Sequence, residues 1–302
     1  MNVLSILDLS THEISTIIDN AIRLKEERNL GIPHPHLAGK TLGMIFEKSS
    51  TRTRISFEVG MFELGGSALY LNPRDMQLDR GEAIADTARV LSRYLSLVMI
   101  RAHRHTSIEA FSVASTIPVI NGLSDIEHPC QILADLMTLK ERFGSLTGLD
   151  IAWIGDGNNV CNSLILSSIR TGMNVRIAVP PGYEPDPDCV ARAVDEGSVT
   201  FYSSPLEAAE GADAIYTDTW ISMGQESEQE ERLRAFQSYQ VNAALLKRAS
   251  PECIVLHCLP AHRGCEITDE LLDGPQSAVW DQAENRLHAQ KALLLSLFNI
   301  EK

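Results

Sequence analysis

The run Phe46-Glu47-Lys48-Ser49-Ser50-Thr51-Arg52-Thr53-Arg54-Ile55-Ser56-Phe57 combines small hydroxyls with two guanidinium groups. The apolar stretch Thr41 to Phe46 precedes it, and Phe57, Met61 and Leu64 recur at helical spacing, which predicts strand, turn, helix with Ser50 as the N-cap. A helix start carries unpaired backbone N–H groups and the positive end of the macrodipole. With the Ser50, Thr51 and Thr53 hydroxyls and the Arg52 fork, this one suits a phosphate. A capped surface helix would explain one Ser or Thr. It does not explain Ser-Thr-Arg-Thr-Arg in a row, with two cations where the dipole disfavours them. At about 100° per residue Arg52 and Arg54 point apart, so one of them is expected at the ligand, with Glu58 available to pair with Arg54.

Four other groupings have residue types suited to chemistry. His128-Pro129-Cys130-Gln131 places Pro at the first position of a long predicted helix, with His128 just before it and Gln131 one turn in. An imidazole there can donate to a carbonyl oxygen and an amide can recognise an NH₂ group. Gly155-Asp156-Gly157-Asn158-Asn159-Val160 follows a predicted strand and opens a helix, as a dinucleotide fingerprint does. Val160 stands where that fingerprint needs Gly or Ala, so the asparagines are read as one helix cap and one amide available to a polar substrate. Asp218-Thr219-Trp220-Ile221-Ser222-Met223-Gly224 leaves a strand end, with Asp218 suited to an ammonium group and Ser222 to a carboxylate. His257-Cys258-Leu259-Pro260-Ala261-His262-Arg263-Gly264 also leaves a strand, and a thiol beside His could act as nucleophile or proton acceptor. Arg286 near the start of the closing helix is either part of a charge network or a second cation for a ligand oxygen.

Other patterns are decoys. Gly39-Lys40-Thr41 lacks the Walker glycine, because His34 occupies its position and a strand follows. His34 and His36, separated by a proline, are expected to be solvated. Cys258, Cys265 and the neighbouring histidines match no common zinc spacing, and the six cysteines form no Cys-x-x-Cys pair. Neither a disulfide framework nor a metal is indicated.

The elements that must position these residues alternate. Strands at 41–46, 67–71, 97–101 and 118–121 intersperse with helices opening at Ser10, Ser50, Glu82, Ser107 and Pro129. After Gly144-Ser145-Leu146-Thr147-Gly148 a second alternation begins, with strands at 149–155, 175–179, 199–202, 214–217 and 253–256, a last strand at 278–281 and a closing helix at 283–298. This predicts an α/β chain of two domains, 1–146 and 147–302, each a mostly parallel sheet flanked by helices with ligands at strand C-terminal ends. The length of 302 residues accommodates two cores. A net charge of −14, from 40 acids against 26 bases, argues against nucleic-acid and anionic-membrane partners. It also requires that a phosphate ligand be met by locally concentrated cations. The N-terminus has no cationic n-region or signal-length apolar stretch, which predicts a cytoplasmic protein.

The Phe-Glu-Lys strand end followed by Ser-Thr-Arg-Thr-Arg resembles the carbamoyl-phosphate signature of the transcarbamoylases, and the later motifs follow in that family's order over essentially the whole chain. The resemblance implies a carbamoyl-phosphate-binding domain at 1–146 and an ornithine-binding domain at 147–302 whose closing helix returns to the first. It implies that Ser50, Thr51, Arg52, Thr53 and Arg101 hold the phosphate, and that Thr53, Arg101, His128 and Arg286 face the carbamoyl oxygen. Gln131 and the backbone carbonyls of Cys258 and Leu259 would read the NH₂ group, and Gln77 matches a loop residue that reaches a neighbouring subunit's site. Asp218 to Gly224 and His257 to Pro260 look like the ornithine branch, in which Asn159, Asp218, Ser222 and Met223 hold the amino acid and Cys258 lies near its δ-amine. A cis Leu259-Pro260 peptide and a homotrimer or multiple of trimers are further implications. Carbamoyl phosphate has a good leaving group, so no cofactor, metal or covalent intermediate is required. The rivals are a carbamoyltransferase for another amine such as putrescine, a nucleotide-binding oxidoreductase and a catalytically silent binding subunit.

Overall fold

The computed structural model describes residues 1–77, 81–195, 199–221 and 226–300. Its contacts divide into two units, one formed by residues 1–137 and 284–302 and the other by 138–283.

In the first unit, Ser10 and Glu13 form a capping box on α1 (Thr11–Asn29), which buries Ile14, Ile17, Ile18, Ala21 and Leu24 as its 3.6-residue periodicity predicts. There follow β1 (Thr41–Phe46), α2 (Thr51–Glu63), β2 (Ser67–Leu71), α3 (Ile84–Leu91), β3 (Leu97–Arg101), α4 (His105–Ala114), β4 (Val119–Leu123) and α5 (Pro129–Phe143), whose residues from Thr138 on are assigned to the second unit. The strands are all parallel, in the order β2-β1-β3-β4. Helical crossovers therefore bring every strand's C-terminal end to one edge, and the winding reverses between β1 and β3. Helix α4 starts two residues earlier than the expected Ser107, because the orphan N–H of His105 finds Asp125 Oδ1 at 2.7 Å.

The second unit contains β5 (Asp150–Ile154), α6 (Asn159–Thr171), β6 (Asn174–Ala178), α7 (Pro187–Val194), β7 (Val199–Phe201), α8 (Pro205–Ala209), β8 (Ala214–Thr217), α9 (Gln229–Phe236), α10 (Ala243–Leu246), β9 (Ile254–His257) and α11 (Asp269–Leu272). Its strands too are parallel, in the order β7-β6-β5-β8-β9, so the winding reverses between β5 and β8. A core of Ala152, Ile154, Ile215, Val255, Val241, Ile267 and Leu272 lies under one face of this sheet.

The strand expected at 278–281 does not form. Ser277 makes an isolated parallel bridge to Val255, Ala278 donates to the Val255 carbonyl at 2.9 Å, and from Val279 the chain is helix α12 (Val279–Leu297). A short apolar run fits either periodicity, and here the Gln282 side chain takes the next sheet position by accepting from the His257 N–H at 2.9 Å.

The later part of α12 packs on helices of the first unit, as the closing-helix expectation had it. Lys25 Nζ donates to Asn285 Oδ1 at 2.8 Å, and the fully buried Lys291 donates to Glu63 Oε2 at 2.6 Å. Burial alone would raise the Glu63 carboxyl, but hydrogen bonds from Lys291 and Arg28 hold it below its usual range. His34, expected to be solvated, is instead buried, with Nε2 3.0 Å from Lys291 Nζ and Nδ1 3.1 Å from the Ile32 carbonyl. Pro35 sets the loop's course, and no local pattern shows that α12 will cover it.

Candidate active site

The first unit gathers its polar residues where its winding reverses. Phe46 pairs with Arg101, so the loop leaving β1 and the last residue of β3 are neighbours. Two further bonds tie them: the Glu47 N–H donates to the Arg101 carbonyl at 2.9 Å, and Glu47 Oε2 accepts from the His103 N–H at 2.7 Å. Ser50 is the N-cap of α2, with Oγ accepting from the Thr53 N–H at 3.2 Å. Arg54 points away, pairing with Glu58 at 3.0 Å and lying over the Tyr70 ring.

His128 enters from the loop after β4. That loop is shaped by Ser124, whose Oγ accepts from the Glu127 N–H at 3.1 Å and lies 2.9 Å from His105 Nδ1. Burial holds the His128 imidazole well below its usual range, and the nearby Arg286, Arg101 and Arg52 guanidinium groups lower it further. His128 is therefore neutral at pH 7 and surrounded by three cations. Burial and then Arg101 hold the Lys48 ammonium below its usual value.

Arg286 spans two helices. Its Nη1 donates to Gln131 Oε1 at 2.7 Å and its Nη2 to Thr53 Oγ1 at 2.9 Å, while Gln131 Nε2 donates to Asp135 Oδ1 at 2.8 Å. Of the two readings left open for Arg286, the charge-network one describes what is present, with the guanidinium held between Gln131 and Thr53. Thr51 is exposed at the first turn of α2, and Gln77 is exposed on its loop.

In the second unit, β5, β8 and β9 lie side by side, and the loops leaving them carry the expected residues. Asn158 is the N-cap of α6: its Oδ1 accepts from the Val160 and Cys161 N–H groups, and its Nδ2 donates to Asp218 Oδ2 at 2.7 Å. Asn159 takes the first helical position. Asp218 also accepts from the Thr219 N–H at 2.7 Å, so both of its oxygens are oriented. Thr217 pairs with His257, which brings Asp218 beside Cys258. Ser222 and Met223 lie outside the described residues.

Ligand atoms of Asp218, His257 and Cys258 come within 4.8 Å of one another, which invites a metal reading. The donor set does not fit one. His257 Nδ1 accepts from the Leu259 N–H at 2.8 Å and Nε2 donates to Glu266 at 3.1 Å, so neither ring nitrogen has a lone pair to offer. These bonds fix the tautomer and hold the turn into Leu259-Pro260, a cis peptide in which Leu259 has φ +58°. The glycine loop is equally unsuited to a dinucleotide. Gly157 donates to the Tyr183 carbonyl at 2.9 Å, and a Cβ there would fall 2.3 Å from Pro185 N, so the chain's own 183–185 segment occupies the approach.

Beyond Asp218, Asp156 carries a second carboxyl pushed up to about 6 by burial, although Arg232 pairs with it at 2.6 Å. No local pattern singles out Asp156 and Arg232, because they lie far apart along the chain, whereas Glu266, which was missed, lies nine residues from His257 and four from His262, within local reach of both. Asp135 was also missed, yet its spacing of four from Gln131 on a predicted helix was a readable signal.

One parallel sheet thus carries a capped helix start and a buried imidazole at its strand ends, and the other an oriented carboxylate beside a thiol. The chain belongs to the aspartate/ornithine carbamoyltransferase family: residues 1–141 match its carbamoyl-P binding domain and 147–297 its Asp/Orn binding domain. Among individual relatives, the chain is 61% identical over 295 residues to the ornithine carbamoyltransferase of Methanocorpusculum labreanum, covering 97% of each chain. It is 63% identical over 295 residues to that of Methanospirillum hungatei JF-1, covering 97% of this chain and 98% of the other. Its fold superposes on the ornithine carbamoyltransferase from Pyrococcus furiosus with a TM-score of 0.93 at 52% identity, covering 97% of this chain and 96% of that one.

Proposed function

We propose that this chain is an ornithine carbamoyltransferase, converting carbamoyl phosphate and L-ornithine to L-citrulline and phosphate. The observation that carries the reading is the Arg286 bridge from Gln131 to Thr53 at a helix start whose hydroxyls suit phosphate, with a buried His128 whose imidazole is held well below its usual range by burial and by the fields of Arg286, Arg101 and Arg52.

In this reading Ser50, Thr51, Arg52 and Thr53 bind the phosphate with Arg101, and Arg101, His128, Thr53 and Arg286 polarise the carbamoyl oxygen. Gln131 accepts from the carbamoyl NH₂ group, and the carbonyls of Cys258 and Leu259 share that role. Asn159, Asp218, Ser222 and Met223 bind ornithine. Asp218 and Cys258 draw the proton from the δ-ammonium, because only the neutral amine has a lone pair to attack with. The amine nitrogen then bonds to the carbamoyl carbon, and the carbonyl π pair moves to oxygen. The tetrahedral intermediate collapses by breaking the C–O bond to phosphate, which leaves with the second amine proton. No step requires a metal or a redox cofactor, since the chemistry is placement plus oxyanion stabilisation.

The deciding assay offers carbamoyl phosphate with ornithine or putrescine and measures citrulline and carbamoylputrescine. Citrulline formation well above carbamoylputrescine formation is expected; carbamoyl phosphate binding without citrulline would overturn the reading.

The proposal extends to a homotrimer or a multiple of trimers in which Gln77 serves a neighbouring subunit's site, to be checked by light scattering. It extends also to a cytoplasmic location. Among the described residues, no helix is long and apolar enough to cross a membrane.

A further inference from the structure

We infer that Asp135 is a positioning residue for carbamoyl phosphate: by taking the Gln131 NH₂ group, it fixes which end of that amide faces the substrate. The inference rests on the carbamoyltransferase reading above. Asp135 and Gln131 lie four residues apart on α5, and Gln131, Asp135, Arg286 and Thr53 are all buried. They form an unbroken relay from Asp135 Oδ1 through the Gln131 amide and the Arg286 fork to Thr53 Oγ1, with bonds of 2.8, 2.7 and 2.9 Å.

An amide is nearly symmetric in shape but opposite in chemistry at its two ends. Arg286 can only donate, so Gln131 must present Oε1 to it, and Asp135 supplies the acceptor that Nε2 then needs. A flipped amide would set NH₂ against a guanidinium and a carbonyl oxygen against a carboxyl oxygen. In the observed orientation the second lone pair of Oε1 can accept from a carbamoyl N–H, whereas the flipped orientation would meet that donor with another donor.

An ordinary helix-surface contact at this spacing contributes little, because water competes for both partners. This pair is buried, so removing the acceptor strands a buried N–H group and favours rotation of the amide.

The test measures carbamoyl phosphate, inorganic phosphate and ornithine binding in Asp135→Asn and Asp135→Leu, together with thermal melting. Asn keeps an acceptor but loses its charge, so a roughly three- to ten-fold loss of carbamoyl phosphate affinity is expected. Leu keeps the volume without an acceptor, so a loss of about 30-fold or more is expected. Phosphate affinity should fall by much less than carbamoyl phosphate affinity in both, because the amide reaches the phosphate-binding helix start only through Arg286 and Thr53, and ornithine affinity should be unchanged.

Parental carbamoyl phosphate affinity in Asp135→Asn, or a parallel loss of phosphate affinity, would overturn the inference. If Asp135→Leu does not fold, Asp135→Asn decides alone. Failure of the parent protein to bind carbamoyl phosphate more tightly than phosphate would instead defeat the functional reading itself.

Discussion

Asn158 Nδ2 holds Asp218 Oδ2 at 2.7 Å while Oδ1 of the same amide caps α6. One side chain therefore serves both the helix and the carboxylate proposed to meet ornithine. Asn158→Asp keeps the cap acceptor but sets a second carboxylate against Asp218. The ornithine KM should rise about ten-fold or more, with the melting temperature little changed. Asn158→Ala should in addition lose about 0.5–2 kcal/mol of stability with the cap. A parental ornithine KM in Asn158→Asp would show that the clamp does not matter.

Arg52→Ala should weaken carbamoyl phosphate binding by about 100-fold or more, since a bidentate charge-assisted contact is removed. Asp218→Ala should do the reverse, losing ornithine and keeping carbamoyl phosphate. Arg54→Ala is the control, because that guanidinium is committed to Glu58 and Tyr70. Calorimetric titration with each substrate separates the three.

Removing a preorganised oxyanion donor lowers turnover by about 100-fold, so Arg101→Ala and His128→Ala should both lose at least that much kcat. Because burial and three guanidinium groups keep His128 neutral, the parent's pH–rate profile should show no limb near 6.5 that belongs to it. A limb there that disappears in His128→Asn would contradict this.

His288 offers a stability test away from the chemistry. It is fully buried on α12, and neither ring nitrogen has a hydrogen-bond partner among the described residues. Burial first, then Lys291, Lys25 and Arg28, against an opposing pull from Glu63, together push its imidazole down to about 3, with Glu284 Oε1 3.6 Å from Nε2. The folded pKa thus lies below the unfolded value of about 6.5, so between these limits the unfolded state binds more protons. Its contribution is intact above pH 6.5 and is lost as pH falls towards 3, at up to about 1.4 kcal/mol per pH unit. His288→Leu should flatten the acid side of the stability curve by up to that slope, read from urea melts at pH 4.5 to 7. An unchanged slope would refute the assignment.

Most of the parallel architecture was legible because apolar runs of strand length alternate with helical periodicity, and Gly and Pro punctuate them. Where two periodicities compete over four residues, as at Ala278 to Asp281, local pattern could not decide and the Gln282 side chain did. The four-residue helices α10 and α11 were missed for the same reason, since one turn carries no periodicity. The burial of His34 depended on Lys291 and Glu63, and the commitment of His257 depended on Glu266.

Residue type and spacing alone determined the helix start at Ser50 with its cap on Thr53, because capping acts within one turn. They also determined that the candidate site residues sit at strand ends. Only tertiary structure decided that Arg286 would bridge Thr53 and Gln131, that Asn158 and not Asn159 would cap α6, and that His128 would be neutral. Each of those outcomes depends on burial and on charges brought together across long stretches of chain, and both come from packing.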